Sequence, residues 1–121
     1  MAEELRISRA EEGGAIVLSL AGRLDSFAAV DTDPALMQVA ESAQCPVILD
    51  LGGLEYVSSL GLQTLLRFAK SLEKRGQALC LCNPTPFVTQ VLQISHFSEL
   101  FRIQPSREEA LRSCSVAGSG A

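Results

Sequence analysis

The chain has 121 residues, of which 47% are hydrophobic and 20% charged, and this composition predicts one globular domain with its own core. A formal net charge of -4 and scattered cations argue against a nucleic-acid-binding surface, which needs clustered Lys and Arg. The sequence has no apolar run of the roughly 20 residues that span a bilayer, and its acidic start does not resemble a signal peptide. We therefore expect a cytoplasmic protein without membrane insertion.

The first third of the chain predicts a β-hairpin and a helix. Apolar residues at 5–7 and 15–20 flank an acidic turn whose glycine pair, Gly13-Gly14, can supply positive φ. The segment 22–25 breaks this pattern. Asp33-Pro34 then predicts a helix start, with Asp33 as N-cap, Pro34 in the first position and an end near residue 43.

The middle of the chain predicts a buried strand and the clearest helix. Apolar residues at 47–49 indicate the strand, and a helical pattern runs from about residue 59 to 75, where Gly76 ends it. The residues expected to face the core share one stripe: Leu62, Leu65, Leu66, Ala69 and Leu72. On the opposite, solvent-facing side of the helical wheel we expect Leu60, Thr64, Arg67 and Ser71.

The last third predicts a strand at 78–82, a short helix capped by Thr85, a strand at 100–103 and a closing helix. A capping box at 106–109 opens that helix, and we expect a loose tail at 117–121 after a domain at 1–116. The order β-β-α-β-α-β-α-β-α predicts the α/β class. We expect a mixed, mostly parallel sheet, opened by the hairpin and covered by about four helices.

The cysteines and the single histidine do not predict a metal site. Cys80 and Cys82 are expected to point to opposite faces of a strand, and no CxxC spacing accompanies His96. Reduced, buried cysteines acting as small hydrophobes are the better interpretation. Ser58 and Ser59 have no His/Asp relay or Gly-rich phosphate cradle, so we predict no enzyme and no cofactor.

Two serines stand where a loop is predicted to turn into the helix. A hydroxyl there is exposed and close to the N–H groups that a helix start leaves unpaired, so it can carry a phosphate without unfolding the domain. The residues alone favour an N-cap role for Ser59, worth about 1 kcal/mol. Leu60 is either a partner contact or an isolated surface leucine, and Gly61 either permits close backbone approach or is a packing glycine. Asp25 either contacts a partner or caps a turn.

Five short motifs, in order along the chain, resemble the STAS domain of bacterial anti-sigma factor antagonists. They are Gly22-Arg23-Leu24-Asp25, Val47-Ile48-Leu49-Asp50-Leu51, Tyr56-Val57-Ser58-Ser59-Leu60-Gly61-Leu62, Asn83 with Val88 and the segment 94–101, and Arg107-Glu108-Glu109-Ala110-Leu111. In this chain Ser58 replaces the Asp, and Leu60 the Ser, Thr or Ala, that many members carry beside the central serine.

The resemblance implies regulation by partner switching. The unphosphorylated protein would bind an anti-sigma factor that is also a serine kinase, and a sigma factor would be released. Phosphorylation of Ser59, two residues before Gly61, would end the complex until a phosphatase resets it, which leaves Ser58 as the structural cap. We expect the partner-binding residues to be Asp25, Ser58, Leu60, Gly61 and Thr64.

The competing hypothesis is a STAS-type scaffold that is not phosphorylated. Such a subunit could serve a stress-signalling assembly or a lipid-transport ATPase complex. The sequence pattern does not predict an oligomeric state.

Overall fold

The structure, a computed structural model, describes residues 4–119, with side-chain detail in the last helix as far as residue 114. Within these residues, five strands and four helices follow one another in the predicted order. They are β1 (Arg6–Glu12), β2 (Ala15–Leu24), α1 (Ser26–Ser42), β3 (Val47–Val57), α2 (Ser59–Lys74), β4 (Leu79–Cys82), α3 (Pro86–Ile94), β5 (Arg102–Gln104) and α4 (Arg107–Ser119), with a 3₁₀ turn at Phe97–Glu99.

The strands form a single mixed sheet in the order β1-β2-β3-β4-β5. β1 and β2 are antiparallel, and every later pairing is parallel. Gly13 and Gly14 join the hairpin with φ of 55° and 80°, a conformation that glycine adopts without steric cost. The predicted fold class, hairpin included, is confirmed.

The helices divide unequally between the two faces of the sheet. Buried residues of α1, α2 and α3 pack with one face of the strands in a large aliphatic core that includes Leu49 and Phe68. α4 covers the other face, where Ala110 and Cys114 pack over Ile48. Three helices on one face and one on the other account for a sheet whose central strands are buried on both sides.

The cysteine side chains correct one prediction. Cys80 and Cys82 lie on the same face of β4, beneath α4, because residues two apart in a strand share a side. The expectation that they point to opposite faces was wrong. Burial raises the pKa of the Cys80 thiol to about 11 and that of Cys82 to about 12, so both stay protonated at neutral pH.

α1 begins eight residues earlier than predicted. Asp25 is its N-cap, and Pro34 lies in its interior, where the missing N–H leaves the carbonyl of Val30 without its usual donor. Asp33 does not cap the helix but forms an ion pair with Arg67 of α2, with an N···O distance of 2.9 Å. The helix continues through the proline because its buried face, with Leu36, packs onto the core.

β2 and β3 are longer than their apolar runs. β3 continues to Val57, so only Ser58 separates the strand from α2 and the predicted loop is strand. The sequence pattern does not show this continuation, because Gly52 and Gly53 interrupt the run of strand-forming residues. Gly53 is needed for close packing, since a Cβ at this position would lie 2.9 Å from the Cβ of Ala21.

The later helix starts agree with their predicted caps. Thr85 accepts a hydrogen bond from the Val88 N–H at 3.3 Å, and Ser106 accepts one from the Glu109 N–H at 3.2 Å. α4 extends to Ser119, into the segment predicted as a tail, and residues 120 and 121 lie outside the described residues. No helix in the described part of the chain is long and apolar enough to cross a bilayer.

Candidate functional site: the paired starts of α1 and α2

Two helices begin side by side at the ends of neighbouring strands. Asp25 follows β2, and its carboxylate accepts a hydrogen bond from the Ala28 N–H at 2.9 Å. Ser58 follows β3, and its hydroxyl accepts one from the Gly61 N–H at 3.1 Å. The Ser58 N–H donates to the carbonyl of Leu24 at 2.9 Å, which fixes the two helix starts relative to each other.

The two adjacent serines have different environments. Ser58 is partly buried and caps α2, as the resemblance implied. Ser59 is exposed as the first residue of α2, and its hydroxyl forms no hydrogen bond to another described residue. The position that the residues alone assigned to Ser59, the N-cap, therefore belongs to Ser58. This leaves the Ser59 hydroxyl accessible at a helix start.

Gly61 is a packing residue. A Cβ at this position would lie 2.7 Å from the Leu24 carbonyl oxygen and 2.8 Å from the Leu24 Cγ. The glycine thus lets the backbone of the first turn of α2 approach the end of β2 closely, so its two interpretations describe the same packing. Gly61 is itself buried in the domain, and its contact with a partner stays a prediction.

The sequence pattern predicted the wrong side of α2 for Thr64. Its side chain is fully buried, whereas it was expected on the solvent side of α2. The predicted stripe of α2 is partly wrong: Leu62, Leu65 and Leu72 are buried, but Leu66 and Ala69 are only half-buried. Thr64 and Phe68 are buried in their place, because α1 packs along this side of α2. The Thr64 hydroxyl accepts a hydrogen bond from the Arg67 guanidinium at 3.4 Å. Leu60, in contrast, is 36% exposed, as predicted.

A stack of three side chains at the same end of the sheet was not predicted. The guanidinium of Arg23 lies 4.3 Å from the centre of the Tyr56 ring, an attractive cation–π contact. Tyr56 in turn stacks on Phe87, with ring centroids 6.0 Å apart. The parallel register pairs Arg23 with Tyr56, but this signal is visible only once β3 is known to reach that far.

Exposed apolar side chains lie at the same end of the sheet as Ser59. Phe27 in the first turn of α1 is 87% exposed, Phe87 in the first turn of α3 is 47% exposed, and Leu60 follows Ser59 directly. Large exposed hydrophobics gathered at one end of a domain are typical of a surface that binds another protein. Nothing in the sequence pattern distinguished Phe27 or Phe87 from core residues.

Within residues 4–114, no group of three or more His, Cys, Asp or Glu is arranged to hold a metal ion. His96 lies in the turn after α3 and is exposed to solvent, with its Nδ1 atom 3.1 Å from the Oε2 atom of Glu99. The geometry around Ser59 instead suits recognition: an accessible hydroxyl, a helix start and apolar neighbours.

Comparison with known protein families finds a match over most of the chain. The sequence model of the STAS domain matches residues 6–110. The chain belongs to the STAS domain family. Bordetella bronchiseptica BtrV, provisionally named an anti-sigma factor antagonist, is 36% identical over 97 residues, which cover 80% of this chain and 84% of BtrV. The resemblance found in the sequence is thereby confirmed.

Solved structures share the fold. The anti-sigma-factor antagonist (STAS) domain protein of Planctomyces limnophilus superposes with a TM-score of 0.82 at 24% identity, over 90% of this chain and 97% of that one. The Bacillus cell fate determinant SpoIIAA in its phosphorylated form superposes with a TM-score of 0.66 at 22% identity, over 90% and 97%. At these identities the likeness establishes the fold alone.

Proposed function

We propose that this STAS domain is an anti-sigma factor antagonist whose partner is an anti-sigma factor with serine kinase activity. Phosphorylation of Ser59 by that kinase ends the complex, and a phosphatase restores it. The observation that carries the proposal is the difference between the environments of the two serines. Ser58 caps α2, whereas the Ser59 hydroxyl is exposed and free of hydrogen bonds to other described residues.

The fold tolerates a phosphate at this position. Phosphorylation adds about -1.5 to -2 charges at pH 7. The N-terminus of α2 favours negative charge through its dipole and its free N–H groups. The domain therefore stays folded when Ser59 is modified, and the phosphorylated state known for a protein of this fold, SpoIIAA, supports this.

The cost of phosphorylation falls on the interface. The partner is expected to cover Ser59 together with the exposed apolar residues Phe27, Leu60 and Phe87. Enclosing a phosphate among apolar groups without a cation to pair it costs several kcal/mol. Binding is then lost by orders of magnitude without a change of fold.

Incubation with candidate kinases and ATP, followed by intact mass measurement, tests the proposal. We expect one added phosphate on the native chain and on Ser58→Ala, and none on Ser59→Ala. Ser59→Ala should still bind the partner, because it removes only the acceptor hydroxyl. Labelling that persists in Ser59→Ala but disappears in Ser58→Ala would show that Ser58 is the acceptor, and would contradict the proposal. Partner binding without any labelling would support the scaffold hypothesis instead.

A further inference from the structure

The outer edge of the sheet, formed by β1, is a second surface open to a partner. β1 pairs with β2 on one side only, and its residues are exposed except for half-buried Glu12. Its register with β2 is unbroken over seven pairs, and it contains no proline. The other edge strand, β5, has three residues and lies beside α4. β1 thus presents a straight row of backbone N–H and C=O groups.

The charged side chains of β1 divide between its two sides. Glu12 points to the α4 side, where its carboxylate accepts a hydrogen bond from the Arg107 guanidinium at 2.7 Å. Residues two apart share a side, so Ala10 lies on that side too. Arg9 and Glu11 lie on the other side, one basic and one acidic on adjacent positions of the same row.

Two copies of the chain can join through this edge if a two-fold axis stands perpendicular to the extended sheet. The strands are then antiparallel, and side chains keep their sides only when the axis passes through a residue opposite its own copy. An axis at Arg9 sets two arginines opposite each other, and an axis at Glu11 sets two glutamates opposite each other. Both registers place like charges at the centre of the interface. The Arg9 register would also set Arg6 opposite the partner's Glu12, whose carboxylate is already paired with Arg107.

The remaining registers near the centre of β1 differ in their charge pairs. An axis at Ile7 sets no two charged residues of β1 opposite each other and so gains no ion pair. An axis at Ser8 sets Glu12 opposite the partner's Glu4, again with like charges. An axis at Ala10 sets Arg9 opposite the partner's Glu11, and Glu11 opposite the partner's Arg9. This register has a small residue at the centre and leaves Glu12 free to keep Arg107. It is the register in which each directly opposed charged pair carries opposite signs.

We propose that β1 pairs with β1 of a second copy about a two-fold axis at Ala10, so that the two five-stranded sheets form one continuous sheet. The occupant of the edge is a second copy because the charge order along β1 complements itself in this register. This dimer does not depend on the proposed function. Ser59 follows β3, in the interior of the sheet, and stays accessible in both copies.

Sedimentation velocity over a range of protein concentrations tests the dimer. We expect a concentration-dependent dimer that Arg9→Glu and Glu11→Arg each weaken by about tenfold or more, since each change creates two like-charge pairs. The double variant R9E/E11R should recover the dimer, because both pairs then have opposite signs again. Arg6→Glu is the matched control: it makes the same charge change opposite Gly14 of the partner, and the dimer should persist.

Cross-linking tests the register. In an antiparallel pair, opposed Cα atoms lie about 4.5–5.5 Å apart, within the range of a disulfide. Ala10→Cys should therefore form a covalent dimer when copper phenanthroline and oxygen oxidise the two thiols. Ser8→Cys should not, because its own copy is displaced by several residues. A native chain that stays monomeric at millimolar concentration, or a dimer indifferent to both charge reversals, would overturn the proposal.

Discussion

At the scale of single residues, the paired serines show how a cap and a modifiable hydroxyl can be placed next to each other. Ser58 satisfies the Gly61 N–H, and its own N–H is held by Leu24. The Ser59 hydroxyl, by contrast, is exposed and makes no hydrogen bond to another described residue. A chemical change at Ser59 should therefore alter the affinity for a binding partner without altering the stability of the fold.

This division predicts different stability effects for two matched substitutions. Ser58→Ala should lower the free energy of unfolding by about 1 kcal/mol, the usual contribution of a serine N-cap. Ser59→Ala should change it by less than about 0.5 kcal/mol, as is typical of exposed positions without specific contacts. Urea unfolding followed by circular dichroism measures both. Equal losses would show that the two hydroxyls share the capping role.

A charge at Ser59 should separate binding from stability. Ser59→Asp should leave the melting temperature nearly unchanged, because a helix start favours an anion. It should weaken partner binding at least tenfold, about 1.4 kcal/mol. Leu60→Ala should also weaken binding while barely affecting stability, since Leu60 is on the solvent side. Circular dichroism melting and calorimetric affinity, measured on the same variants, provide the comparison. A large drop in melting temperature with Ser59→Asp would contradict the switch.

The site illustrates what a single sequence predicts at residue scale. The place of Ser58 and Ser59 at a helix start, and the exposure of Leu60, follow from the helical period and are confirmed. The burial of Thr64 could not be predicted, because it depends on α1 packing beside α2. The exposure of Phe27 likewise has no local signal, since aromatic residues are more often buried.

At the scale of elements, α1 is the clearest departure from local rules. Asp33-Pro34 has the composition of a helix start, yet the helix has already run for two turns when it reaches them. Three of its four buried residues, Ala29, Thr32 and Ala40, are small, and only Leu36 is a large apolar residue. The apolar periodicity of the helix is therefore weak. Tertiary packing therefore decides the extent of α1, and propensity does not.

Pro34→Ala should stabilise the domain. The new N–H can donate to the Val30 carbonyl, and the ring no longer crowds the preceding turn, effects worth about 3 kcal/mol in a helix interior. Part of this gain is offset because alanine gives the unfolded chain more freedom, by about 0.4–1 kcal/mol. We expect a net gain of about 2 kcal/mol.

Thermal and urea unfolding measure this gain, and Pro84→Ala is its control. Pro84 precedes α3 in an irregular segment, so its replacement restores no helical hydrogen bond and should not stabilise the domain. A loss of stability in Pro34→Ala would show that the ring itself is required for packing.

At the scale of the whole molecule, α4 is fastened to the sheet by one arginine. The Arg107 guanidinium bonds Glu12 of β1 at 2.7 Å, Ser19 of β2 at 3.0 Å and Asp50 of β3 at 3.0 Å. Burial by itself would lower the pKa of Arg107, but the hydrogen bonds and charges of Asp50 and Glu12 outweigh it and raise the pKa. The hairpin, the parallel sheet and the last helix therefore meet at one polar cluster.

The thiols beneath α4 should make the whole domain sensitive to alkaline pH. Burial, aided by the charge of Asp50, raises the pKa of Cys82 from 9.0 to about 12, and burial raises that of Cys80 to about 11. Above pH 9 the unfolded chain ionises its thiols before the folded one does, so stability is full below pH 9 and falls as pH rises toward 12.

Unfolding free energies measured in urea between pH 8 and about 10.5 test this slope. Cys82→Ala is expected to be less stable at pH 8, because it leaves a cavity, but to lose less stability as pH rises. Cys45→Ala, which changes a cysteine outside the α4 face, is the control with an unchanged slope. An identical slope in all three proteins would mean that other groups govern the alkaline limit.

The stack of Arg23, Tyr56 and Phe87 gives this domain a built-in optical probe. Tyr56 is the one tyrosine of the sequence, which has no tryptophan, so nearly all of the intrinsic ultraviolet emission of the protein comes from this ring. The ring lies between a guanidinium and a half-exposed phenylalanine at the same end of the sheet as Ser59. A partner that lacks tryptophan and covers this end should change the emission intensity on binding. Association could then be followed in real time without attaching a dye.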